Sequence, residues 1–150
     1  MKKVTLLALA LLVLLTLCSC GSEKGSEVIT ITDYNVDGNV EVHKVSCCEL
    51  GNGNTQYTLE YTAIAGKSIT IFNPPEGSVF QKMPETTTTG AKDTLVFELT
   101  KAELAAIDEI TISFCDDSSC DFVYFWAPKE GSFQPVPNSS TCSLTNSSFS

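Results

Sequence analysis

The chain has 150 residues, of which 9 are basic and 18 acidic, and every basic residue is a lysine. Without arginine it lacks the planar fork that grips phosphate or carboxylate at two points. Apart from Lys2-Lys3 its lysines stand singly, with no basic patch, which excludes nucleic acid as a partner. The length suits one domain with its own hydrophobic core.

The chain opens on Met1-Lys2-Lys3, followed by an almost unbroken apolar run from Val4 to Leu17 and then by Cys18-Ser19-Cys20-Gly21. The run falls short of the roughly 20 residues a spanning helix needs, and its basic start reads as an export signal. A cysteine directly after a small residue, with Leu17 three positions before it, resembles the lipobox of bacterial lipoproteins. The resemblance implies that residues 1–19 are a signal peptide. Cys20 then becomes the mature N-terminus and carries acyl chains. Cys18 is not chosen, because Leu17 before it is too large for the peptidase. Gly21 stands where inner-membrane retention in Gram-negative bacteria is associated with Asp, so the resemblance places the protein at the outer membrane or cell surface. Two or more acyl chains are enough for stable anchoring. Loss of Lys2 and Lys3 leaves seven lysines against 18 acidic residues. A like-charged lipid surface repels such a domain, so the lipid must hold it. Residues 20–27 read as a lipidated flexible tether.

From Val28 to Pro128 the pattern is that of short strands. Val28–Thr32 and Val40–Val42 flank Asp37-Gly38 and predict a hairpin. Gly51-Asn52-Gly53-Asn54 is a second turn signal. Tyr57, Leu59, Tyr61 and Ala63 then alternate with polar residues, as do Leu95, Phe97 and Leu99. Ile69 and Ile71 mark a strand ended by Pro74-Pro75, and Val79-Phe80 marks another. Thr100 and Glu103 form a capping box that opens one short helix near 101–107. Ile110, Ile112 and Phe114 make a strand. The continuous run Phe122-Val123-Tyr124-Phe125-Trp126 predicts a central strand covered on both faces. Seven to eight short strands with frequent turns predict an all-β fold, a Greek-key β-sandwich. The placement of Cys47 or Cys48 early, Cys115 late, and a short helix between late strands resembles an immunoglobulin-like layout. Ser113 and the lack of an intervening Trp depart from it. Residues 129–150 hold seven Ser and two Pro and read as a disordered Ser-rich tail.

Three constellations carry chemistry. Asp33-x-Asn35-x-Asp37-Gly38-Asn39-x-Glu41 resembles the opening of calcium loops in EF-hands and dockerins. The resemblance implies side-chain oxygens from Asp33, Asn35 and Asp37, the Asn39 carbonyl, and Glu41 directly or through water, around a Ca²⁺ ion. Lys44 stands at the twelfth position, where the family has a bidentate carboxylate. The second constellation is the cysteine set Cys47, Cys48, Cys115, Cys120 and Cys142. Export makes disulfides the default, and Cys115 and Cys120 sit at a strand end and the next strand start, where a structural bridge fits. Cys47 and Cys48 are adjacent, so they point to opposite faces of a strand, and one of them can reach Cys142. The third is the set of aromatics Tyr57, Tyr61, Tyr124 and Trp126, which suit a sugar-binding face or, at strand spacing, the core. His43, the only histidine, shares parity with Glu41 and is expected outside. No nucleophile elbow, phosphate loop or zinc-protease motif occurs. The expected function is a non-catalytic, membrane-anchored envelope lipoprotein whose sandwich is a structural module or one that binds a protein or glycan ligand. The alternatives are a calcium-dependent binding domain and a thiol-redox or metal-binding protein.

Overall fold

The computed structural model describes residues 26–128. Two antiparallel sheets face each other across one core. The strands are β1 (Ile29–Ile31), β2 (Tyr34–Asp37), β3 (Glu41–Glu49), β4 (Thr55–Thr62), β5 (Ser68–Phe72), β6 (Gln81–Lys82), β7 (Lys92–Leu99), β8 (Glu109–Cys115) and β9 (Cys120–Trp126), with the helix α1 (Lys101–Ala105) between β7 and β8. One sheet has the order β1-β3-β4-β7 and the other β2-β9-β8-β5-β6. The expected all-β sandwich is therefore present, with β2 added to the strands foreseen and the strand expected at Val79-Phe80 found two residues on, as β6. Phe80 is buried, but the pairing beside it falls on Gln81 and Lys82, opposite Phe72 and Ile71.

Alternation builds the core. Tyr57, Leu59 and Tyr61 of β4 and Leu95, Phe97 and Leu99 of β7 point inward from one sheet. Ile69 and Ile71 of β5, Ile110, Ile112 and Phe114 of β8, and Val123 and Phe125 of β9 meet them from the other. Rings lock the layers together: the Tyr57 and Phe125 centroids lie 5.8 Å apart, and those of Tyr61 and Phe114 4.9 Å apart. Each large side chain buried this way contributes about 1.5–3 kcal/mol relative to exposure. The capping box forms in full, with Glu103 N–H donating to Thr100 Oγ1 and Thr100 N–H donating to Glu103 Oε2. The short helix it starts carries the chain from one sheet to the other.

The expected hairpin at Asp37-Gly38 does not form. β1 lies in the four-stranded sheet against β3, with Ile29 opposite Cys47 and Ile31 opposite Val45. β2 lies in the other sheet, against β9. The chain thus changes sheets twice, once between Ile31 and Tyr34 and once at Asp37-Gly38-Asn39. Gly38 has φ +107°, and a Cβ there would stand 2.2 Å from Asp121 Oδ1. The glycine serves close approach to that carboxylate, not a two-residue hairpin. Gly51–Asn54, by contrast, closes the β3–β4 hairpin as expected, with Leu50 N–H donating to Asn54 O at 2.8 Å. Ser26, placed by composition in the tether, is already docked: its N–H donates to Glu49 O, and its Oγ accepts from Glu49 N–H.

Candidate functional site

The calcium-loop residues are spread along the chain path rather than gathered. Asp33 lies in the first sheet crossing, Asn35 and Asp37 on β2, Asn39 in the second crossing and Glu41 at the start of β3. All five are exposed. An extended strand sets alternate side chains roughly 7 Å apart in a row, whereas a calcium loop curls them round one point. Among the described residues no group of three or more His, Cys, Asp or Glu is arranged to hold a metal ion. Asn39 has another role: its N–H donates to Asp121 Oδ1 at 2.9 Å. His43 stands at a register shift between Val42 and Lys44 and shares a 2.8 Å hydrogen bond with Thr62 Oγ1.

Each of the four described cysteines has a defined state. Cys115 and Cys120 form a disulfide at the mouth of the β8–β9 hairpin, where they are direct register partners. Cys115 is therefore bonded to neither Cys47 nor Cys48. The adjacent cysteines do face opposite ways. Cys47 is a free thiol in the core, and burial pushes it up to about 12. Cys48 is buried on the outer side of the four-stranded sheet and is disulfide-bonded. Its partner is none of the described cysteines, and Cys142 lies outside the described residues. A buried, protonated thiol is a poor nucleophile and a poor metal ligand.

Sequence reasoning missed a buried ion pair at the end of the sandwich away from Ser26. Lys67 is 1% exposed, and its Nζ donates to Asp121 Oδ2 at 2.5 Å and to Ser119 Oγ at 2.9 Å, with Asp116 Oδ2 at 3.8 Å. The Lys67 ammonium holds the Asp121 carboxyl below its ordinary range, helped by the Asn39 N–H. Asp116 lies at about 2, chiefly because Ser118 and Ser119 donate to its carboxylate. The Lys67–Asp121 pair therefore joins three connections: the loop before β5 that carries Lys67, the disulfide-closed Asp116–Ser119 loop, which Lys67 contacts, and the Gly38 crossing, which Asp121 contacts. The signal was parity. Asp121 shares its strand face with Val123 and Phe125, so an inward carboxylate needed a buried cation.

The aromatics are divided between core and surface. Tyr57 and Tyr61 are core residues, at 0% and 3% exposure. The β9 run is not covered on both faces. Phe122 and Tyr124 are half-buried and Trp126 is 57% exposed, all on the outer side of the five-stranded sheet. Across the register, Asp37 lies opposite Phe122 and Asn35 opposite Tyr124 on β2. On β8, Ser113, Thr111 and Glu109 lie opposite Phe122, Tyr124 and Trp126. β9 is flanked on both sides, so its amides are spent in the ladder and only side chains face outward. The outer side of the other sheet is different: Lys44, Glu60, Thr62, Lys92 and Thr94 make it polar, with a 2.8 Å ion pair between Lys92 and Glu60. Among the described residues only the five-stranded sheet presents an aromatic row.

The chain matches no family model, no curated protein and no solved structure.

Proposed function

We propose that this protein is a non-catalytic binding module, anchored in the cell envelope by lipid on Cys20, at the outer membrane or cell surface. Its ligand-facing surface is the outer side of the five-stranded sheet. The observation that carries this reading is the row Phe122, Tyr124 and Trp126, three aromatic side chains kept out of an otherwise well-filled core. Exposed aromatic surface on a soluble domain marks an interaction site. The anchor reading is supported by the lipobox residues Leu17-Cys18-Ser19-Cys20 and by the acidity of the domain, which leaves the acyl chains as the means of attachment. Docked Ser26 leaves only a few residues of tether after Cys20, so the sandwich sits close to its membrane with the Lys67–Asp121 end outermost.

Metabolic labelling with a radioactive fatty acid tests the anchor. Label is expected on the wild-type chain together with recovery in the membrane fraction, and Cys20→Ala loses both. A wild-type chain that takes no label contradicts the reading.

A further inference from the structure

We infer that the outer face of the five-stranded sheet binds a neutral glycan chain, laid along β9 with its sugar rings on Phe122, Tyr124 and Trp126; this rests on the binding-module reading above. Four observations lead there.

The three aromatics occupy alternate positions of one strand, so they form a straight row with a spacing of roughly 7 Å rather than a pocket. A row fits an extended polymer with a repeating unit. Aromatic ring faces offer a flat apolar platform with a negative face, to which the axial C–H groups of a pyranose are complementary. Beside that platform the register sets the exposed Asn35 and Asp37 on one side and the half-buried Glu109 on the other. These groups are two carboxylates and an amide, which accept hydrogen bonds from sugar hydroxyls. Among the described residues, no lysine lies on this face: Lys44 and Lys92 belong to the other sheet, Lys67 is buried, Lys82 pairs with Glu103, and Lys101 is on α1. A face with carboxylates and no cation repels polyanions, so phosphate polymers, acidic polysaccharides and anionic lipid headgroups are disfavoured. A peptide adding as a strand needs free backbone groups, which β9 lacks because both its neighbours are in place.

The chain has a single tryptophan, and it is Trp126, so its fluorescence reports this face alone. A soluble protein of residues 21–150, without the lipid, keeps every residue of both described sheets and of the core cluster. The experiment titrates that protein with neutral hexasaccharides of glucose, mannose and N-acetylglucosamine, and separately with oligolysine and with phosphatidylglycerol vesicles. The inference predicts a saturable change in Trp126 emission with at least one hexasaccharide. It also predicts that Tyr124→Ala weakens that binding about tenfold, as truncation of an aromatic anchor does, while Thr94→Ala on the opposite sheet leaves it unchanged. A Tyr124→Ala protein with the parent's unfolding midpoint keeps the comparison clean. No response to any hexasaccharide overturns the glycan inference. A response to oligolysine or vesicles alone overturns it while leaving a binding face, and silence toward every probe overturns both.

Discussion

Replacing Asp121 with Asn keeps the side-chain shape and an oxygen for the Asn39 N–H but removes the charge that faces Lys67. The ammonium is 1% exposed, so water does not take over. Its other partners, Ser119 Oγ at 2.9 Å and Asp116 Oδ2 at 3.8 Å, remain, one neutral and one too distant for a direct hydrogen bond. Breaking one side of a buried pair costs about 3–5 kcal/mol. For a domain of this size each kcal/mol moves the midpoint by about 4–8 °C, so Asp121→Asn is expected to lower Tm by at least about 12 °C. Removing both charges in Lys67→Met with Asp121→Asn is expected to recover most of the loss, because an apolar replacement of a buried pair is often neutral or better. Calorimetry on the four proteins of this cycle measures the coupling. An Asp121→Asn protein within about 4 °C of the parent, less than the shift expected for 1 kcal/mol, refutes the view that this pair ties the three loops together.

Three other outcomes follow from particular groups. Tyr57 Oη is buried with no hydrogen-bond partner, so Tyr57→Phe keeps the ring packing, sheds a desolvated hydroxyl and should raise stability by about 1 kcal/mol in denaturant titration; a clear loss points to a partner for that hydroxyl. On the proposed acylation of Cys20, with Cys115 bonded to Cys120 and Cys47 free, Cys142 is the partner expected for Cys48. A non-reducing digest should therefore join those two peptides, and alkylation should find no thiol in the native protein and one, Cys47, after denaturation. Asp116 and Asp121 both titrate below their ordinary 3.8 in the folded state, so the unfolded chain takes up protons first as pH falls. Their stabilisation is complete at neutral pH and is lost from about pH 5 downward; a Tm that holds or rises between pH 5 and pH 2.5 contradicts this.

The parts of the fold that were legible in the sequence are those in which one strand face is buried and its neighbours are wet. The alternation of Tyr57–Leu59–Tyr61 and Leu95–Phe97–Leu99 gave strand and core together, and Thr100 with Glu103 located the helix start. β2 was not legible, because Tyr34–Asp37 pairs with residues on β9 far along the chain and its polar residues mimic both a calcium loop and a hairpin turn. Apolar content alone likewise made Phe122 to Trp126 a strand covered on both sides. The alternation hidden in that run is Val123 and Phe125 inward, against Phe122, Tyr124 and Trp126 outward. The grouping of Tyr57, Tyr61, Tyr124 and Trp126 mixed core with surface, since composition does not say which sheet a tyrosine belongs to. Lys67, between Gly66 and Ser68, carries no local sign of burial.

The central claim is that the aromatic side of the five-stranded sheet, and not its opposite, meets the ligand. A photo-reactive residue placed at Tyr124 in the full-length protein in cells, compared with one placed at the exposed Thr94 of the other sheet, tests it most directly. The account predicts a discrete cross-linked species from position 124, absent at 94. Cross-links from position 94 with none from 124 would place the ligand on the other sheet and contradict it.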